Sequence, residues 1–184
     1  AGGAENGAET AFFDSGTTIT LDNAGHTFDL LRVDGTTVTI LENTTNTTLT
    51  GANVATGTFT LTSTLGTITD AAATSIGNGT PTGALLFTAG GAITLNDNAA
   101  DVMNVTGNAS FTTAGLFAIN VGPAGTANLG SVTFNGTDVS IQEESDLSVS
   151  GANTATGNLT LVSVGAIDDA PGAVITTGGA EDGL

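Results

Sequence analysis

The sequence contains one passage twice, and this internal duplication limits the folds that the chain can adopt. Residues 51–62 read GANVATGTFTLT, and residues 151–162 read GANTATGNLTLV. The flanking residues match as well, so the duplication covers about residues 34–71 and 135–170. Repetition of this kind is typical of proteins that are built by stacking similar units.

A shorter repeat lies within the long one. Gly57, Gly83 and Gly107 precede the segments TFTL, ALLF and NASF, so that similar openings recur at similar spacings. Alternation of Thr or Ser with apolar residues favours strands that have one buried face. A unit of roughly 20–26 residues with two or three short strands has the size of one β-solenoid coil, so we predict an all-β parallel β-helix.

An antiparallel β-sandwich is the alternative, because sandwiches also contain short strands with frequent turns. Recurrence of similar residue types favours the solenoid, in which like residues stack on like at about 4.8 Å. We expect the solenoid over 17–177, a flexible or end-plugging leader over 1–16, a tail over 178–184, and protruding loops at 77–83 and 122–130. The expected core stack consists of Val38, Ile40, Phe59, Leu61, Val139, Ile141, Leu159 and Leu161.

The charge of the chain excludes several classes of partner. It has one Lys or Arg, which is Arg32, and 18 acidic residues, for a formal net charge of −17. Phosphate binding needs cationic side chains, so a nucleic-acid partner is excluded. The absence of Cys excludes a disulfide framework and a thiolate metal site. No apolar run reaches the ~18 residues of a membrane span.

An acidic surface attracts divalent cations, and several segments offer the oxygen ligands that calcium prefers. Neither the EF-hand pattern nor the glycine-rich calcium repeat is present. The alternative is that these Asp and Asn residues only form turns. Calcium is therefore a candidate ligand, and we expect no other cofactor. The candidate ligands, which we expect at turns, are Asp22, Asn23, Asn96, Asp97, Asp101, Asp168 and Asp169.

The sequence gives little support to catalysis. His26 is the single histidine, and no nucleophile-elbow spacing is present. Glycan-cleaving enzymes use paired carboxylates, and the adjacent acids at 143–144 and 168–169 could be cited, but neighbouring side chains of a strand point to opposite faces. We therefore predict that the chain is not an enzyme, and a polysaccharide-degrading β-helix enzyme is the third hypothesis.

Several segments resemble the repeats of filamentous-haemagglutinin-like and related β-strand-repeat bacterial surface proteins. The segments are TITLDNAGHTF at 18–28, GNLTL at 157–161 and GAIDD at 165–169, and the resemblance covers about residues 17–177. It implies a right-handed parallel β-helix, an extracellular or cell-surface location, and a structural or adhesive role.

The ends of a solenoid carry unpaired backbone groups, and the sequence shows no cap at either terminus. We therefore expect the chain to belong to a longer surface protein or to stack end to end with copies of itself. The expected contacts of such a homopolymer are Phe12, Phe13 and Arg32. The leading expectation is thus a segment of a fibre, sheath or adhesin stalk. The alternative is an adhesin module that binds a glycan or protein through the two loops.

Overall fold

The computed structural model describes residues 10–43, 46–115 and 117–178. These residues form twenty strands and no helix, and every strand pairing is parallel. The stacked coils form a β-solenoid of about eight turns, which confirms the predicted parallel β-helix over the antiparallel sandwich. In chain order the strands are β1 (Thr10–Asp14), β2 (Thr18–Leu21), β3 (Leu30–Gly35), β4 (Thr37–Glu42), β5 (Asn46–Leu49), β6 (Ala52–Ala55), β7 (Thr58–Ser63), β8 (Thr67–Asp70), β9 (Ser75–Ile76), β10 (Ala84–Ala89), β11 (Ile93–Leu95), β12 (Val102–Thr113), β13 (Ile119–Val121), β14 (Thr126–Gly136), β15 (Val139–Glu143), β16 (Leu147–Val149), β17 (Ala152–Ala155), β18 (Leu159–Ser163), β19 (Ile167–Asp169) and β20 (Val174–Thr177).

The strands stack in register, so that apolar residues of successive coils form columns. In one column Val38 pairs with Phe59, Phe59 pairs with Leu85, and Leu85 pairs with Ala109. Because side chains alternate between the two faces of a strand, register keeps every second residue of each strand inside the coil.

The interior of the solenoid is filled by these inward residues. Phe87 pairs with Phe111 and Phe111 with Phe134, and all three are buried. The rings of Phe59 and Phe87 meet edge to face at 5.1 Å. Burial of each such side chain stabilises the fold by about 1.5–3 kcal/mol. Of the predicted core stack, Leu159 and Leu161 are half-buried on the last coil, and the others are buried: Val38, Ile40, Phe59, Leu61, Val139 and Ile141.

The strand pairing reveals a longer duplication than the sequence did. The pairings among β1–β9 recur among the second part of β12 and β13–β20. We call residues 10–76 the first unit, 108–177 the second unit, and 84–105 the middle coil. Corresponding pairs are Ala11↔Leu31 and Ala109↔Val132, Ile19↔Val38 and Ile119↔Val139, Val38↔Phe59 and Val139↔Leu159, and Asn53↔Ile76 and Asn153↔Ile175.

A buried asparagine holds the same corner in both units. The side-chain oxygen of Asn53 accepts the backbone N–H of Val33 at 3.1 Å, and that of Asn153 accepts the backbone N–H of Phe134 at 2.9 Å. Each side-chain amide group also donates to carbonyl oxygens of its own corner and of the next coil. Buried polar groups need such partners. The Asn side chain provides hydrogen bonds to backbone groups of the corner, which an apolar side chain at this position would leave without that partner.

Two sequence-based boundaries differ from the structure. The solenoid already includes β1, which pairs with β3, whereas the sequence placed its start at residue 17. Residues 1–9 of the expected leader and 179–184 of the expected tail lie outside the described residues. The expected loop at 122–130 is wrong from Thr126 onward, where β14 begins. Gly130 lies inside this strand, and a Cβ there would overlap the carbonyl oxygen of Thr106. Its glycine reflects close packing of neighbouring coils rather than a loop.

Candidate functional site

The C-terminal end of the solenoid is open within the described part of the chain. There β18, β19 and β20 each pair on one side only, with β15, β16 and β17. Apolar side chains are exposed at this end, including Ile167 (52%) and Ile175 (44%). An open depression of about 340 Å³ is lined by these two residues together with Leu161, Asp168 and others. Unpaired strand edges and exposed apolar side chains together mark a candidate interaction surface.

The N-terminal end is formed by β1 and β2, which pair with β3 and β4. Phe13 packs against the core, with its ring 5.2 Å from that of Phe28, whereas Phe12 is 47% exposed. The guanidinium carbon of Arg32 lies 4.5 Å from the Phe12 ring centroid, and its Nε donates to the carbonyl oxygen of Ala52 at 2.9 Å. The three residues expected at an assembly contact thus all lie at this end.

Three aspartates, Asp70, Asp97 and Asp101, form an acidic cluster where the first unit contacts the middle coil. Asp70 is the last residue of β8, whereas Asp97 and Asp101 lie between β11 and β12. Carboxylate oxygens of the three residues lie within 4.8 Å of one another. Asp101 is fully buried, and its oxygens accept the backbone N–H groups of Thr74 at 3.0 Å and Asn98 at 2.9 Å. Several carboxylates in one place are what a hard divalent cation uses, so this cluster is a candidate cation site.

The carboxyl group of Asp70 lies in an environment that disfavours its charge. The pKa of its carboxyl group is raised to about 7, first by burial and then by the charges of Asp101 and Asp97. The backbone N–H of Asn96, which donates to this carboxylate at 2.8 Å, opposes the rise. The Oδ1 of Asp70 is buried and has no hydrogen-bond partner among the described residues. Binding of a proton or of a divalent cation would offset the unfavourable negative charge of this carboxylate.

The other predicted calcium ligands lie elsewhere. Asn23 forms a turn, in which its Oδ1 accepts the backbone N–H of Gly25 at 2.9 Å, and Asp22 precedes it after β2. Asp168 and Asp169 lie on β19 rather than in a turn, and both are exposed at the C-terminal end. Asn96 is buried next to the acidic cluster, with no hydrogen-bond partner for its Nδ2 within the described ranges. Of the seven candidates, Asp97 and Asp101 are the two whose carboxylates belong to the cluster.

The carboxylate pair at 143–144 is split between two environments. Glu143 is fully buried and accepts the backbone N–H of Leu129 and the hydroxyl of Ser145, both at 2.9 Å, whereas Glu144 is exposed. Burial raises the pKa of Glu143. Glu42, its counterpart in the first unit, is also fully buried. The two carboxyl groups at 143–144 therefore do not face a common substrate.

The stacked parallel coils define the chain as a β-solenoid protein. No family model matches it, and neither a curated protein nor a solved structure is found to be similar. Over residues 10–43, 46–115 and 117–178 there is no helix with the length and hydrophobicity of a membrane span. The features that bear on function are the acidic cluster and the strand edges of the first and last coils, which have no partner within the described ranges.

Proposed function

We propose that the chain is a structural segment of an extracellular bacterial fibre, sheath or adhesin stalk, in which solenoids stack end to end. The observation that supports this function is the pair of open ends. Within the described residues, the first and last coils have unpaired strand edges, and the last coil also exposes apolar side chains. Contact between opposite ends of two copies does not close on itself, so it propagates into a filament.

The fold suits a load-bearing rod. Backbone hydrogen bonds of stacked parallel strands run along the rod axis, so axial tension is distributed over every strand of a coil. About eight coils at ~4.8 Å each give roughly 38 Å of length per copy. The net charge of −17 opposes side-by-side association and leaves the ends as the favoured contact. A single Arg and no Lys also leave trypsin-like proteases one cleavage site, which suits an extracellular material.

Sedimentation velocity and negative-stain microscopy of the full chain test this function. We expect threads whose axial repeat is roughly 38 Å. We also expect longer threads at higher ionic strength, because salt screens repulsion between acidic copies. A chain that stays monomeric over a wide range of concentration and ionic strength would refute the proposal.

A matched pair of variants separates end contacts from general surface effects. Ile167→Asp places a charge on the exposed C-terminal end and is expected to stop assembly while the monomer stays folded. Leu86→Asp changes a side chain of similar exposure, 42%, on the outer face of the middle coil. This control is expected to assemble like the unmodified chain.

A further inference from the structure

The middle coil shows how an end of this solenoid is covered. Strands β10 and β11 lie on β7 and β8, which form the end of the first unit. The residues beneath them are fully buried as a result. The partner pairs are Leu85 with Phe59, Phe87 with Leu61, and Ile93 with Ile68.

The C-terminal end of the second unit is the equivalent surface, and no strand of the described residues covers it. Strands β18 and β19 occupy the places of β7 and β8 in the duplicated pairing. Ile68 of the first unit is 0% exposed, and its counterpart Ile167 is 52% exposed. Likewise Ile76 is 1% exposed and its counterpart Ile175 is 44% exposed. Each pair differs in exposure because, among residues 10–43, 46–115 and 117–178, a further coil covers the end of the first unit and none covers that of the second.

The first two strands of the chain have the pattern of the covering strands. The triplet LLF at 85–87 corresponds to AFF at 11–13, and in both the middle residue faces outward, with 42% and 47% exposure. An isoleucine follows the last Phe of each triplet at the same spacing, Ile93 after Phe87 and Ile19 after Phe13. Strands β1 and β2 are therefore spaced as β10 and β11 are.

We propose that β1 and β2 of a second copy of this chain dock on β18 and β19, in the register that β10 and β11 adopt on β7 and β8. This inference rests on the proposed end-to-end assembly and adds the partner strands and their register. The contact continues the parallel ladder of both copies and covers the exposed end residues. The pairs formed are Ala11 on Leu159, Phe13 on Leu161, and Ile19 on Ile167, the first residue of each pair belonging to the second copy.

Disulfide trapping tests the register, because the chain contains no Cys of its own. In this register Thr10 of one copy lies beside Asn158 of the other. Both residues are exposed, so we expect each single substitution to leave the fold intact. The Thr10→Cys chain is mixed with the Asn158→Cys chain under mild oxidation, and mixed dimers are measured by non-reducing electrophoresis and mass spectrometry. The matched control replaces Asn158→Cys by Thr160→Cys, which faces the same way but lies about 6.6 Å further along the strand.

A disulfide needs Cα atoms within about 7 Å, so we expect mixed dimers to form on the order of tenfold faster for the 10/158 mixture than for the 10/160 mixture. Equal rates, or faster formation with Thr160→Cys, would overturn the register. If the register is overturned in this way while the Cys-free chain still forms filaments, the register is wrong and the proposed function stands. If that chain stays monomeric, both fail together.

Discussion

Replacing Asp70 by Asn tests the electrostatics of the acidic cluster. The pKa of Asp70 is about 7 in the folded chain, compared with an ordinary value of 3.8. The folded state therefore holds this proton more tightly than the unfolded state. The resulting contribution to stability is fully present below pH 3.8 and is lost as the pH rises through about 7. Asn keeps an acceptor for the backbone N–H of Asn96 but has no charge.

The expected size of the effect follows from this shift. A rise from 3.8 to about 7 corresponds to about 4 kcal/mol, at about 1.4 kcal/mol per pKa unit. The carboxyl group is partly accessible to solvent, and screening reduces the effect to about 2 kcal/mol. Above about pH 8 the free energy of unfolding of Asp70→Asn should thus exceed that of the unmodified chain by about 2 kcal/mol. Below about pH 3 the two chains should be equally stable, because Asp70 is then protonated in both the folded and the unfolded state.

Urea unfolding measured by far-UV circular dichroism is the assay, since the chain has no Trp or Tyr for fluorescence. Both chains are compared between about pH 3 and pH 8 in calcium-free buffer, so that titration of acids that do not interact with Asp70 cancels in the difference. Asp169→Asn is the control, because Asp169 holds the equivalent strand position in the second unit but is exposed. A stability difference that does not change with pH, or a loss of stability at pH 8, would refute the reasoning.

Two further predictions concern the coil packing and the cation site. Gly107→Ala places a Cβ against the carbonyl oxygen of Gly83 and should lower the free energy of unfolding by about 1–3 kcal/mol. The control Gly16→Ala places its Cβ in open space and should change the stability little. Equal urea midpoints for the two variants would contradict this prediction. Calcium at pH 8 should raise the urea midpoint of the unmodified chain more than that of Asp70→Asn, because binding to the folded state alone stabilises it. Calorimetric titration without binding heat, together with unchanged midpoints, would count against the cation site.

The solenoid was predictable because the repeated corners depend on particular residues. The sequence GAN occurs in both units, at 51–53 and 151–153. Its buried Asn53 and Asn153 connect neighbouring coils, because the side-chain oxygen accepts a hydrogen bond from one coil and the side-chain NH2 group donates to the other. Strand alternation then identified the inward residues. The sequence does not show that β1 corresponds to the second part of β12, because only the inward residues of the two strands match, as Phe13 does with Phe111. Their outward residues differ.

The position of Asp70 beside Asp97 could not be read from the sequence. The two residues belong to successive coils, and coil length varies along the chain. Partners in adjacent coils are further apart in sequence for Phe59 and Leu85 than for Val132 and Val149. Corners absorb these insertions because only the strands must keep register. No fixed spacing therefore tells which residue lies over a given acid.

The acidic cluster also bears on how copies of the chain would meet. In the first unit β8 ends at Asp70, and the strand that covers it, β11, is followed by Asn-Asp at 96–97. At the proposed junction β19 ends at Asp169, and the covering strand β2 of the next copy is followed by Asp-Asn at 22–23. The junction would repeat the acidic pairing between two molecules. Candidate ligands that lie at opposite ends of one chain would thus become neighbours in the proposed filament. A proton or a divalent cation bound between these carboxylates would favour that contact, because it would offset the repulsion between their charges.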